Sequence, residues 1–121
     1  MKKYMPWIVV GVVAISMVVF LVVQARKPGQ YDKLAQCINQ SGAKFYGAWW
    51  CPHCQAQKKL FGNSVKYLPY VECQTPDQKQ KQICIDAKIE GFPTWVFADS
   101  SRLTGEIPLE TLANKTNCPL Q

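Results

Sequence analysis

Two cysteines lie three positions apart, at Cys51 and Cys54, with Pro52 and His53 between them. Thiols at this spacing can close a disulfide, exchange it with another disulfide, or serve as two ligands of a metal ion. Pro52 favours a helix that begins directly after Cys51. Because the free N–H groups and the dipole at a helix start stabilise an anion, we predict that Cys51 is a nucleophilic thiolate.

The other residues of this segment have complementary predicted roles. His53 can place a positive charge or a hydrogen bond beside the thiolate. Cys54 follows one helical turn later, so we expect it to be more buried and to resolve a mixed disulfide by attacking Cys51. The predicted catalytic set is therefore Cys51, Pro52, His53 and Cys54.

Four other interpretations remain open. A zinc site would require a second closely spaced pair, whereas Cys73 and Cys84 are far apart in sequence, and we predict no metal and no cofactor. A structural disulfide between Cys51 and Cys54 would close too short a loop to restrain much chain. The chain could also be a metal carrier that uses both cysteines and His53, or a non-catalytic, disulfide-stapled binding module on a membrane tether.

The elements around the pair are predicted from hydrophobic periodicity and turn residues. An aromatic strand is predicted at 44–50, before the pair, and a helix runs from Pro52 to Gly62. The other predicted elements are a helix at 31–39, a strand at 67–73, a helix capped by Thr75 that continues to Ala87, strands at 91–97 and 103–107, and a helix at 108–117. Helices that alternate with strands predict a mixed sheet flanked by helices.

The sequence Trp-Cys-Pro-His-Cys at 50–54, with Gly-Phe-Pro-Thr at 91–94, resembles the thioredoxin superfamily. The resemblance implies an α/β fold, and it implies that Pro93 follows a cis peptide bond and faces the active disulfide, where it helps to hold substrate backbone. We predict that Trp50 and Phe92 form an exposed apolar rim that contacts substrate.

The stretch from Phe45 to Phe97 looks like the thioredoxin-like domain fused to bacterial and plant homologues of vitamin K epoxide reductase. There, the domain exchanges disulfides with secreted substrates and passes electrons to a quinone-reducing membrane part. Three features depart from these patterns. The chain has one apolar segment, there is no room before Cys37 for the first strand of a full thioredoxin, and Phe45 occupies the position of thioredoxin's buried acid.

Four further cysteines allow three pairings. The proximity of Cys73 and Cys84, together with the family resemblance, favours a disulfide between them, which leaves Cys37 to pair with Cys118. These bridges would be structural disulfides. The alternative is that one of these pairs passes electrons to or from the reactive pair.

We divide the chain into an N-terminal membrane anchor and linker, residues 1–29, and a thioredoxin-like domain, residues 30–121. Residues 5–23 are apolar enough for a single membrane-spanning helix, although a cleaved signal peptide ending at Ala25 is the competing interpretation. The net charge is +6, but ten basic and eight acidic residues follow Gln30, so the domain carries only +2. The flanking cations suit lipid headgroups rather than nucleic acid, and we expect no nucleic-acid partner.

The cysteine content predicts that the domain lies outside the cytosol, on the periplasmic or lumenal side of the cell membrane. We therefore expect a protein thiol–disulfide oxidoreductase that acts on protein thiols and disulfides. The Pro-His dipeptide resembles that of DsbA-type oxidants, which favours oxidation of secreted proteins and re-oxidation by a vitamin K epoxide reductase-like or DsbB-like membrane quinone reductase. The alternative is a thiol reductant for cytochrome c maturation or disulfide repair.

Overall fold

The computed structural model describes residues 2–121, and it begins with a long apolar helix, α1 (Met5–Ala25). The mean hydropathy of its most apolar part is 2.8, and no residue there is buried by the rest of the chain. A helix of this length and composition can cross a bilayer, and a signal sequence has the same character.

The chain joins the folded domain at Gly29. Its backbone N–H donates to the Asp32 carboxylate at 3.1 Å, and the N–H of Tyr31 donates to the Ser64 hydroxyl at 3.0 Å. A Cβ atom at Gly29 would collide with the Ser64 side chain, so only glycine permits this close approach. The linker after α1 is therefore packed against the domain from Gly29 onward.

A four-stranded sheet forms the centre of the domain, in the order β2-β1-β3-β4. Strand β1 pairs parallel to β2 and antiparallel to β3, which in turn pairs antiparallel to β4. The elements are α2 (Asp32–Gln40), β1 (Lys44–Gly47), α3 (Pro52–Phe61), a 3₁₀ helix (Gly62–Tyr67), β2 (Tyr70–Glu72), α4 (Gln82–Asp86), β3 (Thr94–Val96), β4 (Arg102–Thr104) and α5 (Leu109–Thr116). This mixed sheet flanked by helices confirms the predicted α/β, thioredoxin-like fold, and no strand precedes β1 within residues 2–121.

The main core is built on two stacked aromatic rings. Phe45 of β1 and Trp95 of β3 are fully buried, with ring centroids 4.7 Å apart and planes 7° from parallel. Helix α2 contributes Leu34 and Ile38 to this core, and α5 contributes Leu112. Since apolar burial is the main favourable term in folding, these contacts hold the helices against the sheet that carries the site.

Two disulfides connect the periphery to this core. Cys37 of α2 is bonded to Cys118, which follows α5. Cys73, directly after β2, is bonded to Cys84 of α4, and both sulfur-bearing residues are fully buried beside Ile89. The first bridge fixes the chain end to the first domain helix, and the second fixes α4 to the sheet.

The segment between β2 and α4 differs from the sequence prediction. The helix predicted from Thr75 begins only at Gln82, and Thr75 lies in a tight turn. Its hydroxyl accepts the N–H of Lys79 at 3.0 Å, while its own backbone N–H donates to the Lys79 carbonyl at 2.9 Å. Side chains of this type compete for local backbone groups, and the Pro76-Asp77 pair supports a turn instead of a helix start.

Candidate active site

Cys51 lies at the junction between the sheet and α3. The chain leaves β1 after Gly47 and turns at Ala48, whose carbonyl accepts the N–H of Cys51 at 3.1 Å. Cys51 is the N-cap of α3, with Pro52 at the start of the helix, and its sulfur accepts the N–H of Cys54 at 3.3 Å. A sulfur that caps a helix in this way is placed where a negative charge is stabilised.

The two thiols differ in their surroundings. Both are free in this structure, with Cys51 retaining 4% of its accessible surface and Cys54 retaining none. Burial raises the pKa of Cys54 to about 12, with a further contribution from its hydrogen bond with Cys51. The nearby charge of Lys58 acts in the opposite direction. Cys54 is therefore a protonated thiol at neutral pH, which has to lose its proton before it can attack a disulfide.

His53 projects from the first turn of α3 toward the segment that follows β4. Its Nδ1 atom lies 2.8 Å from Oε1 of Glu106, and both side chains are substantially exposed. One of the two ring nitrogens of His53 is therefore occupied by Glu106.

The loop before β3 lies against Cys51. The Phe92–Pro93 peptide bond is cis, and the Cys51 thiol lies 3.8 Å from the Phe92 carbonyl oxygen. Pro93 is fully buried, whereas Phe92 is half-buried and meets the ring of Trp50 edge-on at 6.3 Å. Trp49 and Trp50 retain 47% and 45% of their accessible surface. An apolar surface therefore adjoins the sulfur of Cys51.

Three residues that the sequence analysis did not identify lie beside Cys54. The hydroxyl of Tyr70 donates to Oε2 of Glu72 at 2.8 Å, and the ammonium of Lys58 lies 3.6 Å from the centroid of the Tyr70 ring. The other carboxylate oxygen of Glu72 accepts the N–H of Trp49 at 3.2 Å. No motif marks these positions. The parallel pairing of β1 with β2 brings Tyr70 and Glu72 to the site, whereas Lys58 belongs to α3.

A fourth unpredicted residue, Gln57, fixes the inner face of α3. Its side chain is fully buried, its amide nitrogen donates to the carbonyl of Ile107 at 3.0 Å, and its oxygen accepts the N–H of the same residue at 2.6 Å. A buried amide satisfied on both sides holds two segments in a defined relation. Gln57 therefore positions α3 against the segment that carries Glu106.

The zinc-site and metal-carrier alternatives both require a cluster of ligand side chains. Within residues 2–121, no group of three or more His, Cys, Asp or Glu side chains is arranged to hold a metal ion. His53, the third ligand that a carrier would need, is hydrogen-bonded to Glu106. The arrangement is suited to thiol chemistry, with one sulfur capping a helix and a second buried behind it.

Two relatives of this chain are named as a thiol-disulfide oxidoreductase and as a thioredoxin domain-containing protein. No protein-family model matches the chain. The chain is 50% identical over 93 residues to the thiol-disulfide oxidoreductase LTO1 of Arabidopsis thaliana. The matched region covers 72% of this chain and 24% of that protein. It is 37% identical over 75 residues to a thioredoxin domain-containing protein 5 homolog of Drosophila melanogaster, covering 52% of this chain and 17% of the relative. The chain thus spans about a quarter of the first relative and about a sixth of the second. These similarities and the fold support a place in the thioredoxin-like superfamily.

Proposed function

We propose that this chain is a membrane-anchored protein thiol–disulfide oxidoreductase whose redox-active pair is Cys51 and Cys54. One observation carries the proposal: the sulfur of Cys51 caps α3 and accepts the N–H of Cys54, while Cys54 is fully buried. A nucleophile at a helix start with a fully buried resolving thiol behind it is an arrangement suited to disulfide exchange. The similarity to a relative named thiol-disulfide oxidoreductase supports it.

The proposed cycle begins with a disulfide between Cys51 and Cys54. A substrate thiolate attacks the sulfur of Cys51, forming a mixed disulfide and releasing Cys54 as a thiolate, which takes up a proton. A second substrate thiolate then attacks the substrate sulfur of the mixed disulfide and releases Cys51. The substrate loses two electrons as its disulfide forms, and the enzyme pair gains them.

Oxidation of substrates is the proposed direction. The N-terminus of α3 stabilises a thiolate at Cys51, which favours the reduced form of the pair and makes its disulfide a stronger oxidant. The two electrons then pass to a separate membrane quinone reductase, of the vitamin K epoxide reductase-like or DsbB-like kind, which restores the disulfide. The reverse direction, reduction of substrate disulfides, uses the same mixed disulfide at Cys51.

We assign substrate contact to the surface around Cys51. Trp50 and Phe92 offer apolar area beside the sulfur, and Pro93 lies in the segment that faces it. Exposed apolar groups at a reactive centre are suited to unfolded protein substrates, which expose apolar side chains.

We place the domain outside the cytosol, held at the membrane by α1. The uncovered apolar surface of α1 supports an anchor, and the two disulfides formed by the other four cysteines support an oxidising compartment. Protease treatment of oriented membrane vesicles tests this: the domain should be digested only from the extracytoplasmic side. A domain released into the soluble fraction without residues 1–25 would indicate a cleaved signal peptide instead.

Trapping tests the activity itself. In a Cys54→Ser variant expressed in cells, the Cys51 thiolate can still attack a substrate disulfide and release one substrate thiolate, but no second thiol of the chain can resolve the adduct. We therefore expect substrate proteins to accumulate on Cys51 and to be released by dithiothreitol. The Cys51→Ser/Cys54→Ser double variant is the matched control and should trap none. Recovery of no mixed disulfides with Cys54→Ser would favour the non-catalytic binding module.

A further inference from the structure

We propose that Tyr70 and Glu72 carry the proton to and from Cys54, and that Lys58 supplies the positive charge that stabilises its thiolate. This inference rests on the proposed redox function, because it concerns the step in which Cys54 resolves or releases a disulfide. It assigns Tyr70 as the residue that exchanges the proton with Cys54, Glu72 as the group that accepts this proton from Tyr70, and Lys58 as the cation beside the thiolate.

Gly47 brings the Tyr70 hydroxyl close to Cys54. A Cβ atom built on Gly47 would lie 3.0 Å from the Cys54 sulfur, 3.2 Å from the hydroxyl oxygen of Tyr70 and 2.8 Å from its ring. Both polar atoms therefore border the small space that Gly47 leaves open, and a side chain at this position would fill that space.

Glu72 connects this hydroxyl to the surface. Tyr70 donates to one oxygen of the carboxylate at 2.8 Å, which leaves the lone pairs of the phenol oxygen free to accept a proton from the thiol. Glu72 is half-buried and lines an open groove together with Trp49, Gln74, Pro76 and Lys81. A proton passed to Glu72 can therefore leave to water.

The phenol serves as a relay and not as a base. Burial raises the pKa of Tyr70 well above its usual range, and the hydrogen bond to Glu72 adds to this effect. A tyrosinate is therefore not formed near neutral pH. The hydroxyl instead accepts a proton on its oxygen as it gives its own proton to Glu72, so the proton ends on the carboxylate and the negative charge on the Cys54 sulfur.

Lys58 is the positively charged side chain near Cys54. Its ammonium lies 3.6 Å from the centroid of the Tyr70 ring, one helical turn beyond Cys54 on α3, and its charge lowers the pKa of Cys54 against the effect of burial. The charged and titratable groups around Cys54 are then Cys51, Lys58 and Tyr70, with Glu72 behind the phenol. Lys58 is the cation of this set.

The chemistry balances in both directions. When reduced Cys54 resolves a mixed disulfide, its proton passes through Tyr70 to Glu72, its sulfur bonds to Cys51, and the partner leaves as a thiolate. When substrate attacks the oxidised pair, the released Cys54 thiolate takes the proton back by the same path. No oxidant or reductant is needed beyond the two disulfide partners.

Reaction with 5,5′-dithiobis(2-nitrobenzoate) separates the two steps. The reduced full-length protein in detergent micelles should release one thionitrobenzoate as Cys51 attacks the reagent, and a second as Cys54 resolves the adduct. We expect Tyr70→Phe and Glu72→Gln to slow only the second release, by about 100-fold. Tyr46→Phe, a substitution of the same kind on β1, is the matched control and should leave both releases unchanged.

The pH profile separates proton transfer from a structural defect. In the wild type the second release should be nearly independent of pH between about 7 and 9, whereas in Tyr70→Phe it should rise about tenfold per unit, because hydroxide must then remove the proton. Lys58→Gln should slow the second release in the same way, and Lys59→Gln, its exposed neighbour, should not. A Tyr70→Phe variant with unchanged rate and profile, or a slow one with the wild-type profile, would overturn the relay. Failure of the first release in the wild type would instead refute the proposed redox function.

Discussion

The imidazole of His53 and the carboxylate of Glu106 lie 2.8 Å apart and join the first turn of α3 to the segment between β4 and α5. Gln57 joins the same two segments from the buried side through Ile107. The histidine next to the proposed nucleophile is thus held in place from outside its own helix.

His53→Ala tests whether this histidine stabilises the Cys51 thiolate. Loss of its charge or hydrogen bond should disfavour the reduced form, so the reduction potential should become more negative by about 30 mV, equivalent to about 1.4 kcal/mol. Equilibration with glutathione measures it. Glu110→Ala, an exposed carboxylate on α5, is the control and should have no effect. A His53→Ala potential equal to that of the wild type would show that His53 has no part in the redox chemistry.

The pKa of Cys54 predicts how the stability of the reduced protein depends on pH. The thiol titrates near 9.0 when exposed and at about 12 in the folded protein. Between these values the unfolded chain binds fewer protons than the native state, so the free energy of unfolding should fall as pH rises from about 9 toward 12, by at most about 1.4 kcal/mol per unit. Urea denaturation of wild type and Cys54→Ala in parallel isolates this contribution. Equal slopes in the two proteins would contradict it.

Gly47→Ala tests the close packing of Cys54 against Tyr70. The new methyl group would lie 2.8 Å from the Tyr70 ring and 3.0 Å from the Cys54 sulfur, so one of them has to move. We expect a loss of about 1–3 kcal/mol in the free energy of unfolding, measured by chemical denaturation. Gly91→Ala is the control because its Cβ meets nothing within 4 Å. Equal stability of the two variants would mean that the space beside Cys54 is not tightly filled.

The disulfides Cys37–Cys118 and Cys73–Cys84 should stabilise the fold to different degrees. The sequence separation is 81 residues for Cys37–Cys118 and 11 for Cys73–Cys84. The chain-entropy model then gives losses of about 4.5 and about 3 kcal/mol for the respective double Ala variants. Both should keep the wild-type reduction potential at Cys51–Cys54. Loss of substrate oxidation in a variant that stays folded would instead support electron transfer through that disulfide.

The sequence was sufficient for the fold class because its signals were local. Pro52 marked the start of α3, Gly62 its end, and the alternation of helices with short apolar strands indicated a mixed sheet. The helix predicted from Thr75 was wrong because a threonine before Pro-Asp suits both a helix cap and a turn. In the structure, an antiparallel bridge between Gln74 and Gln80 favours the turn.

The surroundings of Cys54 could not be predicted in the same way. Tyr70 and Glu72 are ordinary strand residues in the sequence, and their role depends on the register that pairs Gly47 with Glu72. Lys58 reads as one of two adjacent surface lysines, and only the position of the Tyr70 ring distinguishes it from Lys59. The register of β1 with β2 and the position of the Tyr70 ring both depend on tertiary packing. No local sequence motif specifies them.

The most direct test of the central claim is the redox equilibrium of Cys51–Cys54 with glutathione in the folded, full-length protein. We predict that these two cysteines alone exchange two electrons while the other four remain bonded. We also predict a potential nearer to about −120 mV, typical of a strong oxidant, than to about −270 mV, typical of a reductant. A value near the lower figure would reverse the proposed direction. A pair that cannot be reduced until the domain unfolds would contradict the account.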